Sequence, residues 1–247
     1  MVGSGDAFGS GGRFQTCIAL GRDDPDAAAH TLIDCGATSL VALRQQGFDP
    51  NSIETVLVSH LHGDHFGGLP FLVLDGQFRR RTADLTVVGP PGTEQRLANA
   101  MEALFPGSGA VRRRFAVRVL EHRDRVPLAT ERFTTTPFEV RHASGAPAYA
   151  VRVEDADGPT AVAYSGDTEW TEALLPAADG TDVFLCEGYA PVPVRWHLDL
   201  GTLGEHRDRL GTRRLILTHL SPSALSSDLS GWETAHDGLV IRPRPEG

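Results

Sequence analysis

The sequence predicts an α/β (α+β) fold in which two mixed β-sheets pack face to face and helices cover their outer faces. Short apolar runs rich in β-branched residues occur in both halves of the chain, and Gly, Pro and Asp residues separate them. Helical patterns fall between these runs, and helices can bury the outer face of each sheet. The 247 residues contain no low-complexity linker, so we expect a single domain over residues 1–247.

The first half of the chain is expected to supply one sheet and three helices. Strands are predicted over residues 14–20, 31–36, 55–58 and 85–88, with a polar turn over residues 21–29. Helices are predicted over residues 38–46, 68–81 and 93–105. The run Arg79-Arg80-Arg81 is interpreted as a solvated helix end that the helix dipole favours.

The second half is expected to supply the other sheet. Strands are predicted over residues 117–120, 132–136, 138–142, 148–153, 161–165, 182–186, 214–217 and 239–242. Helices are predicted over residues 169–175 and 200–210, and residues 223–235 are expected to be partly helical. The five closely spaced strands between residues 117 and 165 are assigned to this second sheet.

Composition excludes several classes of protein. The net charge of −9 argues against broad nucleic-acid binding through the surface field. No apolar run approaches the roughly 20 residues of a membrane span, and no charged-then-apolar leader follows Met1, so we expect a cytoplasmic protein that binds no membrane. Cys17, Cys35 and Cys186 are widely spaced in apolar runs, and we expect buried thiols rather than a disulfide framework or a metal clip.

Residues 2–13 form a glycine-rich stretch. It lacks the lysine of a phosphate-binding loop, and no helix pattern follows it. Tight bends with close backbone approach are therefore preferred over a phosphate cradle. Only Met1 and Val2 precede the first glycine, Gly3, so we expect this edge either to fray or to continue from residues upstream.

The stretch Ser59-His60-Leu61-His62-Gly63-Asp64-His65 carries the strongest chemical signal. It directly follows the strand predicted at 55–58, so three imidazoles and one carboxylate lie at the carboxyl end of a strand. Imidazole and carboxylate are the usual ligands of zinc and of harder first-row metals. His60 and His62 can point the same way along an extended backbone, whereas Asp64 and His65 follow the Gly63 turn. The spacing suits two metal ions, and the alternative is a His-rich surface loop.

The HLHGDH segment, residues 60–65, resembles the HxHxDH signature of the metallo-β-lactamase fold, a four-layer αββα sandwich of hydrolases. Asp34-Cys35-Gly36 resembles a segment that supports this loop by hydrogen bonds. The later ligands of the family are matched by His142, Asp167 and His219, each near the end of a predicted strand. The resemblance implies two sets of metal ligands that Asp167 would bridge: His60, His62 and His142, and Asp64, His65 and His219.

The resemblance also implies two divalent metal ions as cofactors. Zinc is expected, with manganese or iron as alternatives because of the carboxylate ligands. Four other histidines have no motif around them and are interpreted as surface or helix residues: His30, His122, His206 and His236.

The segment Trp196-His197-Leu198-Asp199-Leu200 precedes a predicted helix. It resembles the phosphodiesterase branch of the family, which contains ribonuclease Z and the phosphonate-pathway cyclic phosphodiesterases, where a histidine at this place faces the substrate. Leu185-Cys186-Glu187 resembles the Ile-His-Glu segment of that branch, with Cys186 in place of histidine. The candidate catalytic residues are Asp64, His197 and Glu187. A hydroxide held by the metals would attack phosphorus, His197 would protonate the departing alkoxide, and Glu187 would orient His197 and raise its pKa.

The expected substrate is a small phosphodiester or a cyclic nucleotide. The arm with which ribonuclease Z grips tRNA would fall between His142 and Asp167, but only residues 143–166 separate them. Without that arm, and with a net charge of −9, tRNA 3′ processing is not expected. The three cysteines are not clustered as the structural zinc of the phosphonate-pathway enzymes would require.

Other functions of the fold are kept as alternatives. Lactone or thioester hydrolysis is the second hypothesis, because only His197 counts against it. β-Lactamases of this fold usually carry Cys at the position of Asp167, and diiron reductases usually carry Glu in place of His62, which argues against both. A non-catalytic binding module would not need a complete ligand set. The sequence leaves the oligomeric state open, a homodimer included.

Overall fold

Two mixed β-sheets form the centre of the fold, as the sequence predicts. The computed structural model describes residues 1–21, 29–130 and 132–243. Within these residues the first sheet has the strand order β1-β2-β3-β4-β5. Its strands are β1 (Ile18–Leu20), β2 (Thr31–Ile33), β3 (Thr55–Leu57), β4 (Leu85–Gly89) and β5 (Val117–Glu121). β1 pairs antiparallel with β2, and the other neighbours are parallel.

The second sheet has the order β12-β11-β10-β9-β8-β7-β6. Its strands are β6 (Leu128–Ala129), β7 (Phe133–Val140), β8 (Ala148–Asp155), β9 (Ala161–Tyr164), β10 (Val183–Glu187), β11 (Leu215–Thr218) and β12 (Glu233–Thr234). Strands β6 to β9 pair antiparallel, and strands β9 to β12 pair parallel. The assignment of the strand predicted at 117–120 to this sheet is wrong. That strand is β5 of the first sheet, because a long crossover from β4 returns the chain parallel to that strand.

Helices cover the outer faces of both sheets. They are α1 (Ser39–Gln45), α2 (Gly63–Phe66), α3 (Leu69–Phe78), α4 (Thr93–Leu104), α5 (Leu174–Ala178), α6 (Leu200–His206) and α7 (Pro222–Leu225). None of the helices in the described part of the chain has the length and apolar character that crossing a bilayer requires.

Alternation of side chains along the strands creates the layers. In β3, Val56 belongs to the apolar cluster that contains Leu72 of α3, whereas its neighbour Leu57 belongs to the cluster between the sheets. In β11, Leu217 packs in the cluster that contains α5 and α6, whereas Ile216 faces the space between the sheets. The order helix, sheet, sheet, helix is the predicted αββα sandwich.

Some predicted elements are displaced in the second half. The strands predicted at 132–136 and 138–142 form one strand, β7, which passes through Pro137. Among the described residues, strand β6 pairs with Thr134 and Thr135, so farther along β7 is an edge where the missing N–H of proline costs no ladder bond. The helix predicted at 169–175 begins only at Leu174, because Glu169 forms a β-bridge with Arg141.

The last described segment also differs from the prediction. The partly helical stretch expected at 223–235 is reduced to α7, and it is followed by β12, which pairs with β11. Residues 239–242 form no strand; the carbonyl of Leu239 instead accepts a hydrogen bond from the amino group of Met1 (2.6 Å). The turn predicted over residues 21–29 lies, from 22 to 28, outside the described residues.

Several side chains that the sequence places at the surface are buried. The Arg81 guanidinium donates to the carbonyls of Ile53 (2.5 Å) and Asp84 (2.9 Å), so the arginine run does not end in solvent. His30 and His122 are also buried, and the His122 ring packs against Tyr149 with centroids 5.4 Å apart. Contacts from distant segments decide these exposures. The three thiols are buried and unpaired, as predicted: Cys17, Cys35 and Cys186.

The first residues are hydrogen-bonded rather than frayed. Val2 is buried, and its N–H donates to the carbonyl of Cys17 (2.8 Å). A Cβ added to Gly3 would lie 2.0 Å from the carbonyl oxygen of Gln15, so glycine serves close backbone approach here. The stretch also reaches the second sheet, because the carbonyl of Ser4 accepts the N–H of His219 (3.1 Å).

A second close approach lies beneath the histidine-rich motif. A Cβ on Gly36, which follows β2, would lie 2.0 Å from the carbonyl oxygen of Asp64. A Cβ on Gly68, just after α2, would lie 2.1 Å from the carbonyl oxygen of Gly36. The absence of two side chains therefore lets the loop after β2 support the turn that carries Asp64.

Gly36→Ala should lower the free energy of unfolding by about 1–3 kcal/mol, because the added methyl group forces the Asp64 turn to move. Denaturant unfolding measures the loss, and metal content should fall with it. Gly63→Ala is the matched control, since a Cβ there meets no atom within 4 Å among the described residues. Equal stability of the two variants would contradict the close approach.

Candidate metal centre and active site

The candidate site residues lie at the carboxyl ends of strands in both sheets. They are His60 after β3, His142 after β7, Asp167 after β9, Glu187 at the end of β10 and His219 after β11. Strands β9, β10 and β11 are parallel, so their carboxyl ends meet at one edge. The N–H of Tyr149 in β8 donates to the carbonyl of Ser59 (3.0 Å), which holds the end of β3 against that edge.

The motif changes direction between His62 and Gly63. His62 is extended, with φ −75° and ψ 154°, and α2 begins at Gly63. Asp64 and His65 therefore lie on a helical turn, whereas His60 and His62 precede it on extended backbone. The turn predicted at Gly63 is present, and it is the first turn of a short helix.

His60, His62 and His142 form one convergent group, with ligand atoms within 4.8 Å of one another. His142 Nε2 lies 3.1 Å from His62 Nδ1. The buried His60 Nε2 has no hydrogen-bond partner in the described chain. Burial lowers the pKa of His60 well below its usual range, so this imidazole is neutral. Neutral imidazole nitrogens that converge on one point can bind a metal cation.

Asp64, His65, Asp167 and His219 form a second group. His65 Nε2 lies 3.0 Å from Asp64 Oδ2 and 3.4 Å from Asp167 Oδ1. His219 Nε2 lies 3.3 Å from Asp64 Oδ2 and 3.5 Å from Asp167 Oδ2. Burial acts to lower the pKa of His65, but the carboxylates, Asp167 first, raise it well above its usual range. The group therefore stabilises positive charge, which a divalent ion would supply.

Asp167 reaches both groups. Its Oδ2 lies 3.9 Å from His60 Nε2 and 4.0 Å from His142 Nε2, in addition to its contacts with His65 and His219. Its buried Oδ1 has no hydrogen-bond partner among the residues described. The position suits a carboxylate that bridges two cations.

Asp34 supports the second group of ligands through hydrogen bonds to the motif. Its carboxylate accepts hydrogen bonds from the N–H of Ser59 (2.7 Å) and from the Ser59 hydroxyl (2.8 Å). Its Oδ2 also lies 2.6 Å from His65 Nδ1, so Nε2 of that ring points into the site. These are hydrogen bonds of the kind that the Asp-x-Gly resemblance implies. His142 is oriented in the same way, with Nδ1 2.7 Å from the carbonyl oxygen of Trp196.

His197 lies beside both groups and contacts Glu187. Its Nδ1 lies 2.9 Å from Glu187 Oε2 and 3.8 Å from Asp167 Oδ2, and its side chain is 20% exposed. Glu187 is fully buried and also accepts the N–H of Thr168. The predicted contact between His197 and Glu187 is therefore present. Both residues also converge with Asp167 and His219 into a third set of potential metal ligands.

The electrostatics of this pair differ from the expectation. Burial lowers the pKa of His197, and Asp167 offsets the effect only in part. The largest influence that raises it is the Asp167 carboxylate rather than Glu187, whose own pKa is raised by burial.

Tyr189 is a site residue that the sequence analysis did not single out. Its ring stacks on His197 with centroids 4.1 Å apart and planes inclined by 20°. Its N–H also donates to the carbonyl of Leu198 (2.9 Å), which ties the end of β10 to the His197 segment. The only sequence signal was an aromatic residue two positions after Glu187.

The donor set fits two divalent cations. It contains only imidazoles and carboxylates, the ligands that zinc, manganese and iron share. Four of its buried atoms have no hydrogen-bond partner in the described ranges: His60 Nε2, His65 Nε2, Asp167 Oδ1 and His219 Nδ1.

Comparison with known proteins agrees with this geometry. A family model described as a beta-lactamase superfamily domain matches residues 30–220. The chain is 32% identical over 237 residues to an uncharacterized protein of Mycobacterium tuberculosis, covering 90% of this chain and 84% of that protein. It is 25% identical over 251 residues to ribonuclease Z of Agathobacter rectalis, covering 81% of each chain.

Solved structures share the fold. The short form of human tRNase Z superposes with a TM-score of 0.75 at 19% identity, covering 99% of this chain and 98% of that chain. A diphosphatase of the PhnP family superposes with a TM-score of 0.74 at 19% identity, covering 96% and 94%. The αββα architecture predicted from the sequence is therefore confirmed.

Protein purified without chelator should contain close to two equivalents of divalent metal per chain, because the structure offers two ligand groups that share Asp167. Elemental analysis measures this content. His219→Ala should lower it, whereas His236→Ala should not, since His236 is exposed and belongs to neither group. A content near zero, with no activity recovered on adding metal, would refute the site.

Asp34→Asn should weaken metal binding by about 10- to 100-fold, because a neutral amide orients His65 poorly. Competition against a chelator of known affinity measures the change. Asp84→Asn is the control, since Asp84 pairs with Arg118 at the surface. Unchanged affinity in Asp34→Asn would show that this hydrogen bond does not position the ligand.

Proposed function

Because this chain belongs to the β-lactamase superfamily, we propose that it is a dinuclear phosphodiesterase acting on a small phosphodiester or a cyclic nucleotide. The family and the clustered ligands support a metal-dependent hydrolase. The names ribonuclease Z and diphosphatase among the similar proteins favour phosphate chemistry. In this proposal the ions are zinc, held by His60, His62 and His142 and by Asp64, His65 and His219, with Asp167 between them.

One observation carries the choice of phosphodiesterase. His197 is a partly exposed imidazole whose Nδ1 contacts Glu187, while its Nε2 has no hydrogen-bond partner among the described residues. Cleavage of an alkyl phosphodiester releases an alkoxide, which needs a proton more than the thiolate of a thioester does. A lactone also releases an alkoxide, so the substrate panel below decides between it and a phosphodiester. An imidazole placed beside the candidate ligands, with one nitrogen free, can supply that proton.

Each residue has a defined task in this proposal. When bound, divalent ions supply Lewis acidity and make water nucleophilic at neutral pH. Asp64 and Asp167 neutralise positive charge around the reacting phosphate. His197 donates a proton from Nε2 to the leaving oxygen, and Glu187 and the Tyr189 ring hold the imidazole in place. Because burial lowers its pKa, protonated His197 is a stronger acid than a solvated imidazole.

A substrate panel separates this proposal from the alternatives. It compares bis(p-nitrophenyl) phosphate, 2′,3′-cyclic nucleotides, a lactone and a thioester with one metal-loaded preparation. We expect turnover of the phosphodiesters to exceed that of the lactone and the thioester. Preference for the lactone or the thioester would replace the proposal with its second hypothesis, and efficient cleavage of a precursor tRNA at its 3′ end would overturn the expected substrate size.

His197→Ala should lower kcat by roughly 10²–10⁴-fold on phosphodiesters with alkoxide leaving groups, because the leaving oxygen loses its proton donor. The loss should shrink for p-nitrophenyl esters, whose leaving group needs little protonation. Kinetics on both substrate classes, together with metal analysis, measure the effect.

Metal content decides how the His197→Ala result is interpreted. We expect it to match that of the unmodified protein, since His197 belongs neither to the group of His60, His62 and His142 nor to the group of Asp64, His65, Asp167 and His219. Loss of metal would make His197 a ligand within its group with Asp167, Glu187 and His219. Unchanged rates on both classes would remove His197 from the mechanism.

A further inference from the structure

A pocket of about 380 Å³ opens beside His197. Its lining includes Trp170, Pro193, Val194, Arg195, His197 and Thr202. His197 is the one residue that it shares with the candidate catalytic machinery. The volume lies at the lower end of the range for small-molecule sites, so it suits a group of nucleoside size rather than an RNA helix.

The position of His197 determines which part of the substrate would enter this pocket. This step rests on the proposed function, in which His197 protonates the leaving oxygen. A general acid must lie within hydrogen-bond reach of the atom that it protonates. The organic group attached to the leaving oxygen must therefore lie next to His197, and the pocket borders this residue.

Residues 193–197 form one wall of the pocket, and contacts with other residues of the site hold this segment in place. Trp196 has a positive φ of 72°, and its N–H donates to Glu169 Oε1 (2.9 Å). Its carbonyl lies 2.7 Å from Nδ1 of His142, a candidate metal ligand. A bridge between Val194 and His197 closes the loop. The pocket is thus framed by contacts within the protein itself.

Trp170 supplies an aromatic wall. Its ring stacks on His206 of α6, with centroids 4.1 Å apart and planes inclined by 16°. The indole is therefore held in place while it also lines the pocket. An aromatic ring that is already fixed can stack on a flat ligand with little loss of side-chain entropy.

Arg195 supplies the polar contact. The guanidinium lies 4.5 Å from the ring centroid of Trp196 and has no carboxylate partner among the described residues. The acidic residues of the lining are already engaged, because Glu169 accepts from Trp196 and Asp199 accepts from the N–H of Thr202 (2.9 Å). The guanidinium donors of Arg195 can therefore bind acceptors on the edge of a planar ligand.

We infer that this pocket is the leaving-group subsite and that it binds the base of a nucleoside. A nucleobase combines a flat face, which Trp170 can stack on, with ring nitrogens and carbonyls that accept hydrogen bonds from Arg195. The substrate class is then narrowed to phosphodiesters whose leaving oxygen belongs to a nucleoside.

The test compares two substrates with the same reacting group. One is a ribonucleoside 2′,3′-cyclic phosphate, and the other is methyl riboside 2′,3′-cyclic phosphate, which lacks the base. Trp170→Ala should lower kcat/KM for the nucleotide by roughly 5- to 100-fold, as expected from the loss of base stacking, and leave the baseless substrate unchanged. Trp232→Ala is the matched control, because Trp232 also packs against α6, near Gly204, but does not line the pocket.

Because Trp170→Ala also removes packing contacts, a second variant tests the subsite independently. Arg195→Gln removes an exposed charge and should raise KM for the nucleotide without changing metal content or the rate on the baseless substrate. The free nucleoside should inhibit hydrolysis of bis(p-nitrophenyl) phosphate competitively, and both variants should weaken that inhibition.

The possible outcomes distinguish failure of the proposed subsite from failure of the proposed function. If the unmodified protein hydrolyses phosphodiesters but Trp170→Ala and Arg195→Gln keep its preference for the nucleotide, the subsite is wrong and the function stands. The same conclusion holds if the protein shows no such preference. If it hydrolyses no phosphodiester when loaded with metal, the proposed function is wrong and the subsite is lost with it.

Discussion

The buried carboxylate of Asp34 is the contact on which the geometry of the motif depends. It accepts hydrogen bonds from Ser59 at the end of β3 and lies beside His65 on the helical turn, so one group ties together both halves of the motif. Burial raises the pKa of this carboxyl, and His65 and Ser59 oppose the shift. The close approach at Gly36 presses the same loop against the turn. The αββα layers supply the dry surroundings in which these few contacts are strong.

From Asp34 the site continues as an alternation of carboxyl groups and imidazoles. His65 lies between Asp34 and the pair Asp64 and Asp167, and His219 lies between that pair and Glu187, with its Nδ1 3.8 Å from Glu187 Oε2. Buried charges of one sign destabilise a fold unless opposite charge lies close by. Metal binding and folding stability should therefore be linked in this protein, since cations would neutralise the carboxylates that the layers bury.

The features that depend on local sequence pattern were predicted correctly. The motif, its place after β3 and the strands that carry His142, Asp167 and His219 were all predicted, because apolar runs and turn residues are read within a few positions. Features set by distant contacts were missed. The burial of Arg81 depends on carbonyls from the segment before β3, and the stacking of Tyr189 on His197 depends on the path of another loop. The pKa of His197 was expected to rise, but desolvation by the complete fold outweighs its carboxylate neighbours.

The hydrogen bond between Ser4 and His219 joins two segments from nearly opposite ends of the described chain. Contacts of such high sequence separation form slowly, because a long loop must close before they can stabilise anything. While the protein is being synthesised, His60 and His62 emerge early, but the second group lacks His219 until β11 has left the ribosome. A nascent chain could thus hold a single ion loosely through its first histidines, and completion of the hydrolytic centre would be a late event that reports nearly finished folding.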